Sequence, residues 1–178
     1  MKVKSVLSLI CVVGFIGWCL WSCESPHSYS EIPEIHFKSL SFEYITTELG
    51  PDLKAVLTFS FVDGDGDIGV RTRYDTVSKI HYKWYKKYPD MTYEMYQFPD
   101  TTIISSEIPY DEVMNKDEAH NKTLKGTIEI ALTAPTKIQD IDTMRIEFFI
   151  FDRARNKSNV EYTHDFSILN PPSEPITK

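Results

Sequence analysis

From Glu34 to Ile168 apolar and polar residues alternate repeatedly, and no stretch sustains the 3.6-residue apolar period of an amphipathic helix. That pattern restricts the chain to sheet architectures, because side chains two residues apart share one face of a strand. Leu53 to Val62 shows it most clearly, with Leu53, Ala55, Leu57, Phe59 and Phe61 on one face and Lys54, Thr58 and Ser60 on the other. Gly50-Pro51-Asp52 ahead of it is a turn signal. Ser78 to Tyr88 sets Ile80, Tyr82 and Trp84 opposite His81, Lys83 and Tyr85; Tyr88-Pro89-Asp90-Met91 then turns the chain into a strand over Thr92 to Phe98. Thr123 to Leu132 and Thr143 to Phe151 follow, and Phe149 and Phe151 mark the latter as a central strand covered on both faces near its end. Val160 to Ile168 closes the series with Val160, Tyr162, Phe166 and Ile168 on one parity. In Glu34 to Tyr44 the apolar parity switches between Phe37 and Leu40, which requires a bulge or a change of sheet.

Short strands separated by turn signals imply an all-β fold, and about seven antiparallel strands over residues 34–168 favour an immunoglobulin-like sandwich over a barrel. Trp84, on the third strand, stands where such sandwiches often bury a tryptophan. Asp111 to Asn121 is read as a loop with a turn or two of helix, since Val113, Met114 and Ala119 form a poor apolar stripe. Residues 169–178, with three prolines, read as an exposed tail.

The first 22 residues have a different character. Lys2 and Lys4 precede an uncharged apolar run from Val6 to Trp21, short for a bilayer span of about 20 residues and suited to an export signal. Leu20-Trp21-Ser22-Cys23 resembles the lipobox of bacterial lipoproteins, which implies a signal peptide over 1–22 and acylation of Cys23. Cys11 and Cys19 are poor rivals, because Ile10 and Trp18 stand where a small residue is required. No cysteine follows Cys23, so a disulfide within the domain is impossible although export would permit one. An uncleaved N-terminal anchor is the alternative reading, and it too leaves the domain outside the cytoplasm. Residues 23–33 are polar with two prolines and read as a lipidated tether. The expected location is the outer membrane, with the domain facing either the periplasm or the cell surface.

The whole chain has 26 acidic residues against 19 lysines and arginines, and loss of the leader removes two lysines and no acid. That excess argues against nucleic acid as a partner. The membrane is met through acyl chains on Cys23, and the remaining partner is an unidentified protein or glycan. The sequence contains no H-E-x-x-H, G-x-S-x-G, P-loop, G-x-G-x-x-G or C-x-x-C motif, and its five histidines are scattered, so an enzyme is not expected.

Two segments can carry chemistry. Asp63-Gly64-Asp65-Gly66-Asp67-Ile68-Gly69 sets three aspartates at alternate positions on a glycine-rich loop, the oxygen-rich arrangement Ca²⁺ favours. It is not an EF-hand, since position six is Ile68 and position twelve is Tyr74. With Leu53–Val62 as strand B and Thr143–Phe151 as strand F, the B–C and F–G loops share one end of the sandwich. Asp152 then joins Asp63, Asp65 and Asp67 as a candidate ligand, with Asn156 as a neutral oxygen donor. The competing reading has Arg153 and Arg155 neutralise the aspartates, whose side chains cap backbone amides. No cofactor is firmly implied; Ca²⁺ is the one the loop suits. The second segment is tyrosine-rich, and Tyr85, with Tyr93 or Tyr96 according to register, offers an aromatic face for protein or glycan.

PEIHFKSLSFEY (33–44), FSFVDGDGDIG (59–69) and FDRARNKSNVEYTHDF (151–166) together resemble a group of small Bacteroidetes-type lipoproteins with a DGDGD-I/L-G loop after a strand and a DRAGN-S-N hairpin. The second motif is also similar to the last hairpin of bacterial immunoglobulin-like and fibronectin-type modules, although Arg155 stands where glycine is usual. The resemblance implies a β-sandwich on an envelope lipoprotein.

Overall fold

The computed structural model describes residues 29–47, 50–69, 79–96, 106–109, 123–134 and 142–178. The leader, Cys23, most of the tether and the Asp111–Asn121 segment lie outside the described residues. The described residues form ten strands: β1 (Glu34–Thr47), β2 (Gly50–Asp63), β3 (Lys79–Lys87), β4 (Tyr93–Met95), β5 (Ser106–Pro109), β6 (Leu124–Thr133), β7 (Thr143–Ile150), β8 (Glu161–Tyr162), β9 (Phe166–Ser167) and β10 (Ile176–Thr177). No helix occurs among the described residues.

One sheet has the order β10-β1-β2-β6; the other is β4-β3-β7-β8, with β5 also on β3 and β9 also on β7. Every pairing is antiparallel. With β1, β2 and β6 as strands A, B and E, and β3, β7 and β8/β9 as C, F and G, this is an immunoglobulin-like sandwich. Six of the seven expected strands have a single counterpart, Thr92–Phe98 in shortened form as β4, and the seventh is split between β8 and β9. Phe149 on β7 and Phe151 just past its end are only half-buried, and β7 is nevertheless central, between β3 and the last strands.

Alternation produces the core. Leu53, Ala55, Leu57, Phe59 and Phe61 of β2 face Ile80, Tyr82 and Trp84 of β3 and Met144, Ile146, Phe148 and Ile150 of β7 in one buried cluster. Phe59 meets Phe148 across the layer with ring centroids 5.2 Å apart, and Trp84 stands edge-on to Phe166 at 6.0 Å. Burial of each such side chain contributes about 1.5–3 kcal/mol, so the alternation fixes register as well as fold.

Two departures from strict alternation have local causes. The parity switch in β1 is a bulge, because the register against β2 shifts between Phe37 and Ser39 and leaves Lys38 as the extra residue. The expected strand Val160–Ile168 is instead two short pieces. Tyr162 pairs with Glu147 and Phe166 with Met144, one residue out of step, so Tyr162 and Val160 point outward while Phe166 and Ile168 are buried. Thr163 fills the break: its amide donates to the Ile146 carbonyl at 2.9 Å and its Oγ1 accepts from the Ile146 amide at 2.9 Å. The tail is exposed over much of its length but is not free, since β10 pairs with β1 at Ser39 and Leu40 and Ile176 packs against the core.

Candidate metal centre

Strand β2 ends at Asp63, and the acidic loop turns back over the end of the sandwich. Gly66 and Gly69 have φ of 67° and 100°, a left-handed backbone that glycine adopts without strain. The Asp63 side chain organises this turn: its Oδ2 accepts hydrogen bonds from the amides of Asp67 at 2.8 Å and Ile68 at 3.2 Å. Ile68 is buried in the core and anchors the far side of the loop.

Across from it, β7 runs into a tight turn over Asp152–Asn156. Arg155 N donates to the Asp152 carbonyl at 3.3 Å, Asp152 N donates to the Asn156 carbonyl at 3.2 Å, and Arg155 has φ of 72°. Arg155 therefore holds the left-handed position that glycine would occupy at lower cost. Tyr88–Thr92 repeats this geometry, with Met91 at φ 68°.

The two loops interlock. Ala154 N donates to Asp67 Oδ2 at 2.9 Å and Arg153 N to the Asp67 carbonyl at 3.3 Å. Ligand oxygens of Asp63, Asp67 and Asp152 all lie within 4.8 Å of one another. Asp63 and Asp152 are 0% exposed, and the Oδ1 atoms of Asp63, Asp65 and Asp67 are buried without a hydrogen-bond partner. Asp65 lies outside the tight triangle, although its charge acts on Asp63. Asn156 takes a different role from the expected one: its side-chain nitrogen donates to Asp152 Oδ2 at 2.8 Å and its backbone amide to Asp152 Oδ1 at 2.7 Å. It orients a carboxylate instead of offering an oxygen.

The electrostatics are those of crowded anions. Burial pushes the Asp63 carboxyl up to about 7, with the charges of Asp65 and Asp67 adding to the shift. Asp67 is likewise raised, first by burial and then by the charges of Asp152 and Asp65. The Arg153 charge opposes this rise, and its Nη1 donates to the Gly69 carbonyl at 3.2 Å. The Arg155 side chain is exposed. The caps expected of a purely structural loop are made by both oxygens of Asp152 but by only one oxygen of each of Asp63 and Asp67.

The aromatic candidates separate. Tyr85 and Tyr93 share the outer face of β3 and β4, where the Arg145 guanidinium lies 5.9 Å from the Tyr85 ring, 3.5 Å from Tyr93 and 4.6 Å from Tyr162. Tyr93 OH donates to Asp165 at 2.9 Å and Tyr162 OH to Glu147 at 3.0 Å. Burial, followed by the Glu147 charge and hydrogen bond, raises the Tyr85 pKa. Tyr96 does not join this face; it packs against the core, with its amide on the Trp84 carbonyl at 2.7 Å.

Sequence reasoning missed Asn159, whose side-chain amide receives the Ile35 amide at 2.8 Å and donates to the Ile35 carbonyl at 2.9 Å, acting as a one-residue strand beside β1. It also missed Gly64, whose role involves the tether. A polar residue in a hairpin carries no sign of so distant a partner. Compared with known proteins, the chain matches no family model, no curated protein and no solved structure.

Proposed function

We propose that this protein is a lipid-anchored, non-catalytic module of the bacterial outer membrane that holds a hard divalent cation, Ca²⁺, between its B–C and F–G loops. The observation that carries the reading is Asp63: fully buried, with one oxygen tied to two amides and the other buried without a hydrogen-bond partner. A buried charge left unpaired costs several kcal/mol, and a cation among the three carboxylates removes that cost. The triangle has the right scale. Oxygens on opposite sides of Ca²⁺ stand about 4.6–5.2 Å apart, twice its bond length, and the carboxylate oxygens fall within 4.8 Å. Asp63, Asp67 and Asp152 supply the inner ligands, Asp65 adds charge at the rim, and water or loop carbonyls complete the shell.

The ion welds the two loops that in sandwiches of this class most often meet a partner, so the module presents a rigid, metal-set end to a protein or glycan. A glycan-binding Tyr85/Tyr93 face draws less support, because the hydroxyls of Tyr93 and Tyr162 already donate within the chain. Anchoring rests on the lipobox-like run before Cys23. Labelling with palmitate tests it: incorporation lost in Cys23→Ala is expected, and an unlabelled chain contradicts it. For the ion, calorimetry on chelator-stripped protein is expected to show one site with Kd near 10⁻⁴–10⁻³ M or tighter. Absence of heat at millimolar calcium contradicts the metal reading.

A further inference from the structure

Gly64 is the one glycine of the acidic loop for which local backbone gives no reason. Its φ is not in the left-handed region, unlike Gly66 and Gly69. What excludes a side chain is the tether: a Cβ on Gly64 would stand 2.4 Å from the carbonyl oxygens of both Tyr29 and Ser30. The Gly64 amide donates to the Ser30 carbonyl at 2.8 Å. The seat continues on both sides. Lys125 of β6 lies 3.8 Å from the centre of the Tyr29 ring and also contacts its hydroxyl. Asn156, which holds the ligand Asp152, reaches the Glu31 carbonyl at 3.5 Å with the same side-chain nitrogen.

The end of the tether therefore lies on the two loops that frame the carboxylate triangle, touching one residue between two candidate ligands and one residue that orients a third. Resting on the calcium reading above, we propose that cation binding and seating of the tether are one coupled equilibrium. Calcium fixes the loop in the form that receives Tyr29–Glu31; without it, repulsion among Asp63, Asp65, Asp67 and Asp152 opens the loop and the tether lifts off. The consequence is mechanical. With the tether seated, six residues from Cys23 span at most about 20–22 Å; released as far as Pro33, ten residues span about 33–36 Å. Calcium shortens the leash between the acylated cysteine and the sandwich.

Linkage makes the coupling reciprocal, so a blocked seat weakens calcium binding. The test uses the full-length protein in detergent, with amide hydrogen exchange of residues 29–35 followed in millimolar CaCl₂ and in EGTA, and calcium binding measured by calorimetry on the same sample. Calcium is expected to slow exchange of the segment by about tenfold or more. Gly64→Ala, which leaves every carboxylate in place, is expected to abolish that protection and weaken calcium binding by at least ~5-fold. Lys125→Met, which keeps the loop intact and removes the cation from the Tyr29 ring, is expected to act in the same direction by a smaller factor. Calcium binding with unchanged exchange at 29–35 overturns the coupling and leaves the metal site standing; absence of calcium binding overturns both.

Discussion

The acidic end and the tyrosine face are both clusters of polar side chains on one sandwich, yet they meet their electrostatic demands in opposite ways. On the face of β3, β4 and β7, Arg145 lies among three tyrosine rings, Lys87 pairs with Asp165 at 2.6 Å and Lys83 with Glu147 at 3.5 Å. Of that group only Arg145 Nε is buried without a partner. At the loop end, three carboxylate oxygens are buried and unpartnered within two turns of chain. The face has supplied its own counter-charges, whereas the loops leave buried carboxylate oxygens without a partner. A cluster of charged residues thus becomes a site when its unmet demand is buried, not when its charges are many.

The sharpest way to break this contrast is to supply the ion. Calcium at 100 times its Kd stabilises by about 2.7 kcal/mol, which should raise the Tm by ~5–10 °C, and EGTA should reverse it. Asp67→Asn should abolish this response while raising the Tm of the metal-free protein, because it removes one of the repelling charges. A loop neutralised by arginine would instead be destabilised by that substitution.

The next largest effect comes from pH in chelator. Folded Asp63 keeps its proton up to about 7, against 3.8 for the free side chain, so the folded state binds more protons between these values. Stability should therefore fall as pH rises from about 4 through 7 and level off above, a change on the order of 5 °C in Tm. Calcium should flatten the profile. A metal-free protein that grows more stable across this window would show that the carboxylates are paired, as on the tyrosine face.

Arg145→Ala is the matching perturbation on the other side. Loss of the guanidinium from the rings should cost about 1–2 kcal/mol in urea unfolding with the calcium response unchanged. Smallest is the strain in the twin turns. Arg155→Gly should stabilise by about 1 kcal/mol, since its side chain is exposed and its φ of 72° disfavours any residue that carries a Cβ. Met91→Gly should behave alike without altering calcium affinity, whereas Arg155 borders the site and its replacement tests whether turn strain reaches Asp152.

Much of the fold was legible because alternation encodes it directly. The buried faces of β2, β3 and β7 are those the sequence pattern selects, and the parity switch between Phe37 and Leu40 marks the bulge at Lys38. The split of the last strand was not legible, since a one-residue slip at Thr163 reverses two faces without changing composition. Nor was β10, two residues held only by pairing with β1. At the site, loop topology brought Asp152 to Asp63 and Asp67 as expected. Alternate spacing did not reveal that Asp65 stands outside the triangle, because Gly66 turns the chain between the aspartates. The seat of the tether on Gly64 depends on chain arriving from residues 29 and 30, which no local pattern announces.

The most direct test is anomalous diffraction from crystals grown with calcium or with terbium in its place. The expected result is one strong peak bounded by the carboxylates of Asp63, Asp67 and Asp152, with oxygen distances of about 2.3–2.6 Å. An empty triangle at millimolar calcium, with the Arg153 guanidinium lying between the carboxylates, would contradict it.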